Sequence, residues 1–205
     1  MSISKKVKLV TVLACLAGAI SLASGTAMAE SIKGRAGVTG RIGFQVPADN
    51  EAEFGWGNNK TDTGLVGGVG LIYGMDSNWA AELDASHSSF DSDTGDFHVT
   101  DVSLGAQYRF RAPGNSRIVP YLGAGLDILI SDYDPYDGAS LHVDTCVGAH
   151  LKGGADYFVT KDLALSAEAK FVLAPDADIT YQGTHSGDFD PSSFNGTIGL
   201  RYFFN

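Results

Sequence analysis

Three groups of residues in this sequence could do chemistry. His87-Ser88-Ser89 places a hydroxyl two positions from an imidazole, and Asp101 would complete a nucleophile, base and orienting acid for acyl transfer. His142, Asp144, Cys146 and His150 recur at even spacing and offer nitrogen, oxygen and sulfur donors to a metal ion. Asp91-Ser92-Asp93-Thr94-Gly95-Asp96 alternates its carboxylates as calcium loops do. Each group has a physical objection. Asp101 has the opposite strand parity from His87, so the triad does not meet on one face. Residues two apart on a strand stand about 6.6 Å apart, so one ion reaches about two of the four even-spaced donors. The acidic segment lacks the remaining spacing and bidentate Glu of an EF-hand, and acidic runs are ordinarily solvated. The sequence therefore assigns no catalytic residue, no metal ligand set and no cofactor.

The elements that must carry these residues alternate with period two, as strands do, in eight runs. They are 33–44, 64–74, 78–88, 97–110, 117–130, 141–158, 163–173 and 194–204. No helix of useful length is legible. The connections after the second, fourth and sixth runs are short, whereas those after the first, third, fifth and seventh are longer and polar. That strict alternation predicts an all-β, eight-stranded, antiparallel up-and-down transmembrane β-barrel with both termini at the periplasmic end.

Sorting each run by parity gives two unlike faces. One, from Ala36, Val38 and Ile42 through Ile198, Leu200, Tyr202 and Phe204, carries no charge. The other holds the cations Arg35, Arg41, Arg109, Lys152, Lys170 and Arg201 with the acids Glu82, Asp84, Asp101, Asp127, Asp144, Asp156 and Glu168. Near balance on that face, in a strongly acidic chain, is what enclosed charges require, because unpaired buried ions are costly. Tyr73, Trp79, Tyr108, Phe110, Tyr157, Tyr202 and Phe204 gather at the turn ends, where an interfacial aromatic girdle belongs. The charged face therefore points inward and the apolar face meets lipid. Among the inward residues, Val66, Phe97, Val99, Leu129 and Val172 lie toward the long loops and form an expected apolar cup. Below it, the ionic residues other than Asp144 form an expected plug. An eight-stranded barrel is just wide enough for side chains to fill, so uptake through the cup competes with a solid interior.

Composition narrows the class further. With 14 Lys+Arg against 24 Asp+Glu, the net charge of −10 excludes a nucleic-acid surface, which needs clustered cations. Lys5, Lys6 and Lys8, an apolar stretch from Leu9 to Leu22, and Ala27-Met28-Ala29 read as a signal peptide over 1–29, leaving 30–205 as one barrel domain of the cell outer membrane. Its removal takes three lysines and moves the charge from −10 to −13. The long connections hold 14 acids (Asp49, Glu51, Glu53, Asp62, Asp91, Asp93, Asp96, Asp132, Asp134, Asp137, Asp176, Asp178, Asp188 and Asp190) against Lys60 alone. Expected partners are outer-membrane lipid and lipopolysaccharide, small hydrophobic solutes, and divalent cations at this acidic rim.

Pro120-Tyr121-Leu122-Gly123-Ala124-Gly125-Leu126, and the stretch from Lys152-Gly153-Gly154 through Asp162-Leu163-Ala164-Leu165, resemble the OmpW-like group of small outer-membrane barrels, most densely over 117–173. The resemblance implies an eight-stranded barrel with a narrow passage for small apolar molecules, released sideways into the membrane. No gate residue of that group is matched here. The alternative is a structural or adhesive barrel whose acidic loops meet partners. A lesser one is a lipid A-modifying enzyme: some barrels deacylate lipid A with a His-x-Ser pair, which His87-Ser88-Ser89 is similar to, but Phe90 stands where their Asn follows.

Overall fold

The computed structural model describes residues 31–48, 61–93, 95–110, 117–136, 141–181 and 184–204. The expected signal peptide and the acids Asp49, Glu51, Glu53 and Asp137 lie outside the described residues. Eleven strands form: β1 (Ala36–Pro47), β2 (Gly64–Gly74), β3 (Trp79–Asp91), β4 (Gly95–Arg109), β5 (Ile118–Pro135), β6 (Leu141–Val143), β7 (Cys146–Phe158), β8 (Leu163–Leu173), β9 (Ala177–Tyr181), β10 (Thr184–Phe189) and β11 (Ser193–Phe203). Eight of them close a barrel in the order β1-β11-β8-β7-β5-β4-β3-β2. All its pairings are antiparallel, and β1 closes on β11 from Gly37↔Phe203 to Pro47↔Ser193.

The parity reading holds over the barrel. Ile42, Leu65, Val69, Leu104, Leu126, Leu151 and Ile198 are exposed on the outer wall. At the turn end, Trp79 and Tyr108 meet edge to face at 5.3 Å, and Tyr202 and Phe204 do so at the same distance. The Trp and Tyr rings suit the headgroup boundary because their bodies are apolar and their tips polar, and Phe204 adds apolar area beside them. No described helix is long and apolar enough to cross a membrane.

Two expectations are corrected. The connection after β3 is not long: β3 ends at Asp91 and β4 starts at Gly95, with Asp91 directly opposite Asp96. Ser92 makes this possible, since its N–H donates to the Gly95 carbonyl at 2.8 Å and its hydroxyl donates to the same oxygen at 2.6 Å. Asp91 and Asp96 of the calcium-like segment are thus paired across the end of this hairpin.

The run 141–158 is also two strands rather than one. It breaks at Asp144 and Thr145, and β6 leaves the barrel to pair with β9, which pairs in turn with β10. The expected long connection 175–193 therefore contains a hairpin. Together β6, β9 and β10 form a small sheet over one end of the barrel, here called the cap, and we refer to the two ends as the cap end and the turn end.

Candidate functional site

The interior is built in three layers. At the cap end, Phe97, Val99, Leu129 and Val172 from the wall join Phe90 and Tyr133 in one buried apolar cluster. Val143, Ala177, Ile179 and Phe189 on the underside of the cap belong to that same cluster. Phe97 is its hub, stacked at 4.4 Å on Tyr133 and at 4.7 Å on Phe189. Four of the residues expected to line an apolar cup thus pack together, with the chain's own hairpin against them. Val66 is buried outside this cluster.

The middle layer is ionic. Arg41 bonds Glu168 at 2.8 Å and also pairs with Asp84. Lys152 pairs with Glu82, lies 3.3 Å from Asp84 and 3.5 Å from Glu168. Asp156 accepts from Arg109 at 2.7 Å and from Arg201 at 2.8 Å, and Arg201 reaches Glu82 at 2.9 Å. Nearer the cap, Lys170 joins Asp101 and Asp127, each at 2.6 Å, and His150 lies 2.9 Å from Asp127. Strand alternation alone aims these side chains inward, and pairing offsets the desolvation that would otherwise expel them. Small residues make room: a Cβ on Gly70 would stand 1.9 Å from Asp84 Oδ1.

Two members of the expected charged face lie elsewhere. Arg35 sits at the turn end, bonded to Asp162 at 2.5 Å and to the carbonyl of Lys161 at 3.0 Å, with its guanidinium over the Phe203 ring. It clamps the turn end instead of joining the middle layer, because it precedes β1. Asp144 is exposed on the cap, since the break beside it reverses the face that the preceding residues present.

The third layer was not anticipated. Ile32, Ile72, Ala80, Phe158, Ala164 and Phe203 make a buried apolar floor at the turn end. Their inward parity is legible in the sequence, but parity alone does not tell an apolar layer from the ionic residues that share the face. Tyr121 was also missed: wholly inside, it donates to Glu168 Oε2 at 2.9 Å while Arg201 lies over its ring.

The barrel wall has a notch beside the upper layer. On β5, Leu129 is the last residue paired with β7, although β5 continues to Pro135 against β4 alone. On β7, Cys146 to Gly148 have no partner on β8, whose pairing begins at Ala149↔Leu173. Cys146 and Ala174 pack there against the apolar cluster from the rim.

The expected nucleophile group is not assembled. His87 faces outward and bonds Thr100 at 3.0 Å, while Asp101 is inside with Lys170. Ser89 instead bonds His98 at 2.8 Å, with Asp134 3.8 Å beyond it. The even-spaced donors are dispersed as well: His150 is inside, Cys146 is at the rim, and His142 and Asp144 are on the cap 3.6 Å apart.

The outer membrane protein beta-barrel domain family matches residues 13–204. Among solved structures, OprG from Pseudomonas aeruginosa is similar at 18% identity and a TM-score of 0.68, covering 87% of this chain and 99% of its own. Neisserial surface protein A is similar at 18% identity and 0.65, covering 82% and 97%. Outer membrane protein W of E. coli is similar at 19% identity and 0.50, covering 84% and 99%. No curated protein matches the sequence. At these identities the structural likeness shows a shared fold, the small eight-stranded antiparallel barrel.

Proposed function

The chain belongs to the outer membrane protein beta-barrel family, and from that premise we propose that it admits small hydrophobic molecules from outside the cell into its apolar upper layer. The cap then faces the exterior and both termini the periplasm. The observation that carries this reading is the filling of the upper layer by Ile179 and Phe189, which come from an external hairpin and not from the barrel wall. A hairpin held by apolar contacts can be displaced by an apolar solute that replaces those contacts.

Passage straight through is opposed by the paired ionic layer, which would lose its Coulombic partners if parted. The notch between β5 and β8 supplies a sideways exit at the level of the upper layer. The test is binding and transfer of a fluorescent apolar probe by the protein in vesicles, compared with Phe97→Asp, which places a charge at the hub of the cluster. Wild-type uptake abolished by that substitution supports the reading. Absence of both binding and transfer in the wild type sinks it and leaves the adhesive alternative, for which the exposed acids of the cap speak.

A further inference from the structure

The cap has a second face, opposite the one that plugs the barrel. Asp178 on β9 stands directly across from Asp188 on β10, so two carboxylates share one side of the hairpin. Like charges in that register repel unless something neutralises them. His185 is three residues before Asp188, a spacing that in a regular strand would turn the two to opposite faces. A β-bulge between His185 and Gly187 removes that difference: His185 pairs with Thr180 and points to the side of Asp178 and Asp188. Its ring lies between the carboxylates, Nδ1 3.8 Å from Asp178 and Nε2 3.9 Å from Asp188, too far to hydrogen-bond either. The three donor atoms fall within 4.8 Å of one another.

We propose that Asp178, His185 and Asp188 form a binding site for a divalent first-row transition ion of the Zn²⁺ type. One imidazole with two carboxylates suits such an ion, whereas Ca²⁺ prefers six to eight oxygens. Ligand distances near 2.0–2.2 Å require the imidazole to turn out from between the carboxylates so that one of its nitrogens and both acids face the same ion, and all three groups are on the solvent side. Water completes the coordination. Since the ligands come from both strands of the hairpin whose underside carries Ile179 and Phe189, the ion also fastens the cap over the upper layer. The site stands independently of what the barrel admits.

The experiment is calorimetric titration of the folded full-length protein in detergent with Zn²⁺, with Ca²⁺ as comparator. The expected result is one Zn²⁺ per chain, no competition from equimolar Ca²⁺, and affinity reduced at least about tenfold by His185→Ala or Asp178→Asn. His98→Ala, an imidazole of the outer wall, should titrate as wild type. Histidine modification of the unsubstituted protein by diethyl pyrocarbonate needs no variant to fold, and Zn²⁺ should protect His185 from it. Zn²⁺ should also slow proteolysis of the hairpin. Failure of the wild type to bind, equal binding by the His185 and Asp178 variants, or unprotected His185 in saturating Zn²⁺ overturns the site; binding without slower proteolysis overturns the fastening.

Discussion

Arg201 is wholly buried and bridges two interior carboxylates. Its guanidinium joins Glu82 and Asp156 and its Nε donates to Thr39 at 3.0 Å. Arg201→Met would leave those carboxylates short of a cation, and breaking buried pairs this way costs about 3–5 kcal/mol. Urea unfolding in vesicles should show a loss of that size. Gln107 gives the opposite expectation. It is wholly buried, and neither amide atom has a hydrogen-bond partner among the described residues. Gln107→Leu should therefore be neutral or stabilising, by up to about 1 kcal/mol, since it removes a desolvated amide that gains nothing. At the cap end, Tyr136 donates to Asp96 at 3.1 Å, and this bond holds its phenol above the ordinary value of 10.0. Bonding favours the protonated form, so the contact acts below the unfolded-state value and is lost as pH rises through the folded one. Asp96→Asn should bring the phenolate absorbance titration down toward that ordinary value.

At the level of elements, β1 and β2 show how differently two glycines behave. Gly40 faces a shallow apolar groove of about 560 Å³ on the outer wall, lined also by Val38, Leu71 and Leu83, and an added Cβ meets nothing within 4 Å. Gly70 faces inward against the Arg41–Asp84 pair. Gly40→Ala should leave heat-modifiable gel mobility unchanged, whereas Gly70→Ala should lower the unfolding midpoint because Asp84 must move from its partner. Alternation made both orientations legible in the sequence, as it did for Arg109, Asp127 and Lys170. It failed for β6, β9 and β10 for a reason of length. Three to six residues of period two fit a barrel strand and a separate sheet equally well, and pairing partners are not written in parity. The same limit joined 141–143 to β7 and hid the bulge that turns His185.

Along the barrel the described interior residues alternate as apolar, ionic and apolar layers. In planar bilayers the wild type should therefore show no steady ionic conductance, and sustained open-channel steps would contradict the paired middle layer. Shortening the chain across 176–190 should leave the barrel closed, because no barrel strand lies within that span, while exposing Phe97 and Leu129. Increased binding of an apolar fluorophore with unchanged gel mobility is the expected result. The outward-apolar arrangement makes one further demand: the folded protein should aggregate when detergent is withdrawn, and a stable monomer in plain buffer would refute the fold's orientation.

The seam between β1 and β11 bears on assembly. Arg201 on β11 lies 119 positions from Glu82, and Arg41 on β1 lies 127 from Glu168. Charge pairing within the lumen is consequently a property of the closed ring and of no partial hairpin array. An unfinished sheet carries stranded ions that hydrocarbon rejects, so insertion should be strongly all-or-none, and the last strand to arrive acts as the checkpoint that commits the polypeptide to the bilayer.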